Sequence, residues 1–554
     1  MKNLYLLLLF VLAFSILSFS QQSDTKVESG VFTRKSITIV PVSTGNVSNY
    51  SQDMIAASYD IPYSPRYDYN TVDQSHLEEM QRLFNGITLD YKNLNSMENC
   101  EKLREALVQS GVFQQVIASM GNIDSLNARF QRNQKRIITS ASSQMKIEAP
   151  TIEQMKTLMN GCFIGIPILE SVTPNSDNYI AEGDLIWIRL DVSNVKNWDL
   201  TTHLPDYNEI ECSIVKTEHG KVVVSPKSDK TSSLSTLFDD EPVNEYTLKI
   251  DSRSARQFTR SILKLALTMD EFKLRGTVQD VTDGIRIDLG KREDVYVDQG
   301  YKVYELRMDE NNNKKSVYTG FMRIDKVGDN VTNQDALSSG YPILGHFEQG
   351  FIAKSHDQSF DLVVTPTYRL VSIPASSGLV SSDINSSPGV TVSALYNTSK
   401  LTNMTQLFIG VYYGMGFLSA SSTTDPYSGT VTTTTVTTQE YGITIVKKFW
   451  MNNLNFLIGI ESGLHGIEIN FSDGNDYQIK GAFGIGGYAG IQIPFSADLL
   501  IGLQAGYVYV STPTEIDLNG TAIPYPGFDG INLDGINLGG LTFGLNVSYS
   551  LPAF

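Results

Sequence analysis

From Phe360 to the C-terminus, apolar and polar residues alternate with a period of two. In the last such run, Leu541, Phe543, Leu545, Val547, Tyr549 and Leu551 fall on one face, and Thr542, Gly544, Asn546, Ser548 and Ser550 on the other. Leu499–Val510 and Gln406–Leu418 repeat the pattern. Glu440–Phe449, Phe456–Ile467 and Ala482–Ile493 follow it less cleanly, and Phe360–Tyr368 and Val390–Tyr396 are shorter versions. Successive side chains of a strand point to opposite faces. The runs therefore predict eight strands, each near the roughly 9–11 residues that a tilted strand needs to cross a bilayer.

Three features favour a membrane barrel over a soluble sandwich. One face is apolar while the other carries Gly, Ser, Thr, Asn and Gln, whereas a soluble barrel would place its bulky apolar residues inside. Aromatics that could form interfacial girdles gather at strand ends: Tyr368, Tyr396, Phe449, Trp450, Phe495, Tyr507, Tyr509 and Tyr549. The connections alternate in length. Long links run over Arg369–Gly389, Ser419–Gln439, Glu468–Gly481 and Ser511–Gly540, and short ones over Asn397–Thr405, Trp450–Asn455 and Pro494–Asp498. Backbone groups in lipid find no water, so the strands must close into a barrel. Inward Gly410, Gly414, Gly459, Gly463, Gly484 and Gly486 make room for inward Phe408, Tyr412 and Tyr488, which argues against a wide pore. This region resembles the small outer-membrane barrels of the OmpA/OmpX type. It departs from them at its end, where Pro552 interrupts the strand and the terminal aromatic Phe554 is out of phase with Tyr549 and Leu551.

The N-terminal part reads differently. Ile37–Val42 is a buried strand, and Met97–Gln109 a helix with Cys100, Leu103 and Leu107 on one face and Gly111 as its stop. Val112–Ile117 reads as a strand. Thr151 and Gln154 form a capping box before Met155, Leu158 and Met159. Cys162–Leu169 and Asp184–Val192 read as strands, and Cys212–Val224 as a hairpin turning at His219-Gly220. Ser252–Asp270 is the best helix, with Phe258, Ile262, Leu265 and Met269 on one stripe. Leu274–Val281, Gly284–Leu289, Tyr301–Met308 and Gly320–Val327 suggest a small β-barrel-like domain, with turns at Asp283-Gly284, Asp298–Gly300 and Asp309–Lys314. The expected fold is multidomain: a periplasmic α/β domain, a small all-β domain, and an eight-stranded antiparallel transmembrane β-barrel. Expected boundaries are 1–20 for a signal peptide, 21–30 for a flexible leader, 31–271, 272–358 and 359–554.

Lys2, the apolar run Leu4–Leu17 and small Ser18 and Ser20 make the start a secretory signal. The formal net charge of −17 has no Lys/Arg-rich block to offset it, which argues against nucleic acid. Three cysteines, Cys100, Cys162 and Cys212, match no metal spacing. One bridge with a spare thiol and three buried thiols both remain open.

The opening strand Ile37–Val42, the helix ending at Ser110–Val116, and above all Arg275–Gly290 followed by Val297–Leu306 resemble curli-secretion (CsgG-like) and flagellar-assembly lipoprotein families. That resemblance implies a role in assembling or supporting an envelope structure. The chain departs from those families by lacking a lipobox Cys and by carrying its own barrel.

No residue set reads as catalytic, cofactor-binding or metal-binding. Glu461 and His465 face inward, but four residues along a strand separate them by about 13 Å. The repeated Asp529–Leu533 and Asp534–Leu538 segments read as a turn-rich loop rather than a calcium site, since no bidentate Glu follows. Gly484-Ile485-Gly486 lacks the following helix that a phosphate cradle needs. Thr432–Thr435 reads as the rising wall of a loop. The expectation is a non-enzymatic outer-membrane protein with a periplasmic N-terminal region. Its partners would be outer-membrane lipid and a periplasmic protein or the cell wall, with no cofactor, in envelope assembly, secretion support or tethering. The alternatives are a surface adhesin or receptor using the long loops, and a barrel enzyme that modifies lipid.

Overall fold

The computed structural model describes residues 35–61, 67–121, 152–176, 178–199, 204–224, 250–308, 314–333, 335–377, 382–424, 431–451, 453–471, 476–518, 521–524, 533 and 535–552. The expected signal segment, the capping residue Thr151 and Phe554 lie outside them.

The first domain is a mixed sheet covered on both faces. Its strands are β1 (Lys35–Ile39), β2 (Val42–Ser43), β3 (Tyr67–Asn70), β4 (Cys162–Asn175), β5 (Asn178–Asp191) and β6 (Glu211–Val224), in the order β3-β1-β4-β5-β6 with β2 beside β4. β1 runs parallel to β3 and β4, and β4, β5 and β6 run antiparallel. Alternation along β4 explains the layering. Cys162, Ile164, Ile166 and Ile168 meet Leu77, Leu103, Leu107 and Phe113 on one face, while Phe163 and Leu169 meet Met54, Ala255 and Phe258 on the other. Near the end of this domain, Phe272 packs its ring against those of Tyr67, Phe163 and Trp187, with centroids 5.6, 4.6 and 5.1 Å away.

Two local expectations are corrected here. Val112–Ile117 lies in a helix, Val112–Gly121. Val112, Phe113, Val116 and Ile117 recur at helical spacing and are all buried, so tertiary burial overrides the strand preference of β-branched residues. Gly111, at φ +82°, separates this helix from Met97–Gln109. The expected hairpin at His219-Gly220 does not form, because β6 runs straight through both residues, which pair with Asp184 and Gly183 of β5.

The second domain is a closed six-stranded barrel. It is built from β7 (Arg275–Asp280), β8 (Ile285–Ile287), β9 (Gly300–Met308), β10 (Lys314–Lys326), β11 (Ser338–Gly345) and β12 (Ile352–Ser355), in the order β10-β11-β8-β7-β12-β9. Leu274, Val278, Ile287, Tyr301, Val303, Met322 and Ile324 fill it.

The third domain consists of β13 (Gln358–Ile373), β14 (Ile384–Asn397), β15 (Leu407–Thr424), β16 (Val431–Met451), β17 (Leu454–Phe471), β18 (Asp476–Pro494), β19 (Leu499–Val510) and β22 (Gly540–Pro552). Every neighbouring pair is antiparallel, and the β17–β18 pairing closes the eight-stranded barrel. A hairpin of β20 (Glu515–Leu518) and β21 (Thr521–Pro524) extends β18. The long links shrink, because the strands continue past the apolar belt. Most of Ser419–Gln439 and Glu468–Gly481 is paired strand, leaving 425–430 and 472–475 between strands. Sequence alternation marks only the span with one apolar face. Beyond it the strands hold together by backbone pairing, which no side-chain pattern reports.

Candidate functional site

The outer face of the third domain is an apolar belt. Leu362, Tyr368, Ile409, Val411, Tyr413, Ile443, Ile445, Ile458, Ile460, Ile485, Ile491, Leu503, Phe543 and Leu545 are all exposed. So large a continuous apolar surface matches hydrocarbon rather than water. Phe449, Phe495, Tyr507 and Tyr509 are exposed as girdle residues would be. Trp450 is not one of them. It is half-buried, packs near Phe321 and Ile343 of the six-stranded barrel, and donates Nε1–H to Gln406 Oε1 at 2.9 Å.

The lumen is full. Lys448 pairs with Asp361 at 2.6 Å, and Ser550 Oγ donates to the same carboxylate at 2.7 Å. Asn455, Gln492, Asn546 and Gln504 form a chain of amide hydrogen bonds. Arg369 pairs with Glu440 at 2.6 Å, and His465 Nδ1 lies 3.3 Å from the same Glu440. The remaining cavity is about 50 Å³, lined by Thr365, Arg369, Tyr412, Glu440, Glu461 and Tyr488 among others. That is space for a few water molecules at most.

The inward glycines do what the alternation suggests. A Cβ on Gly459 would lie 2.2 Å from the Tyr488 ring, and one on Gly484 2.2 Å from His465 Nε2. The far end is closed by an apolar cluster that includes Val371, Leu418, Val436, Ile469, Ile479, Val508, Leu533, Ile536 and Leu538. Leu533 and Ile536–Leu538 belong to the link after β19. These residues turn inward, held by an Asn537–Ser372 backbone bridge. Asp529–Asn532 and Asp534 lie outside the described residues. His465 meets Glu440 on the neighbouring strand and not Glu461 on its own.

At the near end, the six-stranded barrel docks on the turns of the eight-stranded one, a contact that the sequence does not announce. Asp298, at φ +71° and buried, is its centre. Its carboxylate accepts hydrogen bonds from Asn397 Nδ2 (2.6 Å), Ser399 Oγ (3.1 Å), Gln406 Nε2 (2.7 Å) and Gln406 N (3.2 Å) across the seam, and from Tyr341 OH (3.1 Å) on its own side. Arg323 donates to the Asp298 carbonyl at 2.8 Å and to the Gln358 side chain. Gln358 in turn donates to Ala497 O (3.0 Å) and Asp498 Oδ1 (2.6 Å).

Asp498 receives His356 Nε2 at 2.5 Å and Lys302 Nζ at 3.5 Å. Against the upward push of burial, His356, Lys302 and Gln358 hold the Asp498 carboxyl down at about 2. Burial pushes the His356 imidazole below its ordinary range, partly opposed by Asp498. Phe321, Ile343 and Ala497 form the apolar part of the contact, flanked by Tyr341, Leu344 and Trp450. The sequence marks Asp298 only as a turn residue. Period-two parity does place Asp361, Arg369, Glu440 and Lys448 inward, and that signal could have flagged the lumen network.

In the first domain, Glu170, Asp184 and His219 bring one ligand-type atom each to within 4.8 Å of one another. His219 already satisfies both ring nitrogens, with Asp184 at 3.1 Å and Glu182 at 3.0 Å. These two hydrogen bonds raise its pKa, and the group serves as a charge clamp across β5 and β6.

No family model matches the chain, and no curated protein matches it. Among solved structures it is similar to Neisserial surface protein A, at 12% identity and TM-score 0.23, covering 35% of this chain and 97% of that one. It is similar to a major outer membrane protein from Thermus thermophilus, at 11% identity and TM-score 0.25, covering 35% and 99%. It is also similar to Ail, the attachment invasion locus protein of Yersinia pestis, at 9% identity and TM-score 0.22, covering 35% and 99%. These likenesses concern fold alone. The likeness of the N-terminal segments to curli-secretion and flagellar-assembly proteins stays a sequence expectation. The closure of eight antiparallel strands around a packed polar lumen, inside an apolar belt, gives the C-terminal region the fold of a small outer-membrane β-barrel of the OmpA/OmpX type.

Proposed function

We propose that this chain is a non-enzymatic outer-membrane anchor that holds a folded periplasmic region against the inner rim of its barrel, in the service of envelope assembly, secretion support or tethering. The observation that carries this reading is the seam around Asp298 and Asp498. A flexible linker would leave the periplasmic domains free to diffuse. Here buried, charge-assisted hydrogen bonds fix their position relative to the membrane. A packed lumen argues against transport, and an inward-folded outer link weakens the adhesin reading. The His465–Glu440 pair supports a lumen network. Its Nε2 has no hydrogen-bond partner and faces Gly484, with no nucleophile presented to it among the described residues.

The test uses the full chain in cells. It is expected to fractionate with outer membranes and to keep its N-terminal region protected from protease added to intact cells. A chain that stays soluble and folded without detergent sinks the anchor. Photocrosslinkers at Met97 and Met308, both strongly exposed, are expected to capture an envelope partner. Capture of nothing from either position counts against the tether.

A further inference from the structure

Cys100 projects from the buried face of the helix Met97–Gln109, and Cys212 from the start of β6. They are 112 residues apart in sequence, yet their Sγ atoms stand 2.7 Å apart. That is inside non-bonded contact and within a small side-chain rotation of the ~2.05 Å of a covalent S–S bond. The approach is part of an extended docking of helix on strand. On one side, Thr217 Oγ1 donates to Asn95 Oδ1 at 2.9 Å. On the other, Arg104 donates to Ile210 O at 2.7 Å and to Asn208 O at 2.5 Å. Going along the chain from Asn95, just ahead of the helix, through Cys100 to Arg104 matches going back from Thr217 through Cys212 to Ile210, just ahead of β6, so the two sulfurs meet in the middle of a fixed register. Cys162 is fully buried among Ile164, Leu103 and their neighbours, out of reach of an exchanging thiol.

We infer that Cys100 and Cys212 form a disulfide in the exported chain, stapling the helix layer of the first domain to its last strand. The inference rests on the export reading, since such bonds persist in oxidising compartments. Cys212 is the more exposed of the two and meets the oxidant first. Its thiolate attacks a protein disulfide of the thiol–disulfide oxidase class, forming a mixed disulfide and releasing one thiol of the oxidase. The Cys100 thiolate then attacks Cys212 Sγ and expels the second. The two cysteines lose two protons and two electrons, and the oxidase disulfide becomes a dithiol. Closing a loop this long constrains the unfolded chain strongly.

The test takes full-length protein from the outer-membrane fraction, so that export is established in the sample itself, and traps thiols before solubilisation in detergent. Non-reducing digestion and mass spectrometry are expected to give a peptide linked through Cys100 and Cys212. Reduction is expected to lower the unfolding midpoint of the N-terminal domain by roughly 10 °C. The Cys100→Ala/Cys212→Ala pair is expected to fold and to match the reduced wild type, with no response to reductant. Alkylation of both cysteines in the trapped sample overturns the inference, as does a linked peptide through Cys162. So does an unfolding midpoint in the wild type that reductant does not move.

Discussion

Gln406, at φ +53°, turns its backbone N–H and its side-chain amide toward one oxygen of Asp298, at 3.2 and 2.7 Å. One residue lies in the turn between two strands of the membrane barrel, and the other in the turn that leads into β9 of the neighbouring six-stranded barrel. The pair sets where the six-stranded barrel sits against the eight-stranded one. Replacing Asp298 by Ala leaves Asn397, Ser399 and Gln406 facing a buried gap without an acceptor. The loss is expected to be about 3 kcal/mol. Limited proteolysis in detergent should show the six-stranded barrel released while the membrane barrel stays resistant.

The same seam is expected to weaken in acid. His356 is held neutral by burial, with its pKa below the ordinary value, so its contribution is present above the unfolded value and is lost as pH falls below about 6.5. Asp498 has a depressed pKa, so its contribution is present above about 4 and is lost as pH falls toward about 2. Stability of the seam should therefore decline in two steps on acidification. In Asp498→Asn the lower step should vanish, which a denaturant titration across pH would reveal.

The His219 clamp has the opposite sign. Glu182 and Asp184 raise the His219 pKa, so its contribution is complete below the unfolded value and is lost as pH rises through the folded one. His219 is half-exposed, so the effect is modest. His219→Gln should flatten the neutral-to-alkaline part of the stability profile. An imidazole titration by NMR that shows no upward shift would refute the clamp.

Gly459 lies where the Tyr488 ring crosses the lumen wall. A Cβ there would stand 2.2 Å from the ring, so Gly459→Ala should force Tyr488 off its rotamer and away from Thr444, at a cost of about 2 kcal/mol. Heat-modifiable gel mobility, read against urea, should show earlier unfolding. The same substitution at Gly487, where a Cβ meets only Gly459 O at 3.6 Å, should be far milder.

Leu533 is fully buried in the far-end cluster. Leu533→Ala should cost about 3 kcal/mol and expose the link after β19 to protease added outside cells. The seam at the other end should be unaffected, since among the described residues the two sites share no side-chain partner.

Period-two alternation was enough to find all eight membrane strands and to orient them, because a lipid-facing row and a lumen-facing row leave opposite marks on one strand. It gave the inward glycines and the packed lumen for the same reason. The strong helices Met97–Gln109 and Ile250–Thr268 were legible from their apolar stripe. Val112–Gly121 was not, because a short β-branched run does not declare its period until its burial is known. The strand extensions past the belt, the inward fold of Leu533–Leu538, the Cys100–Cys212 contact and the Asp298 seam were decided by tertiary structure alone. Each joins residues far apart in the chain through backbone pairing or buried polar contact. Such contacts depend on which surfaces meet, and the spacing of residues along one segment carries no record of that.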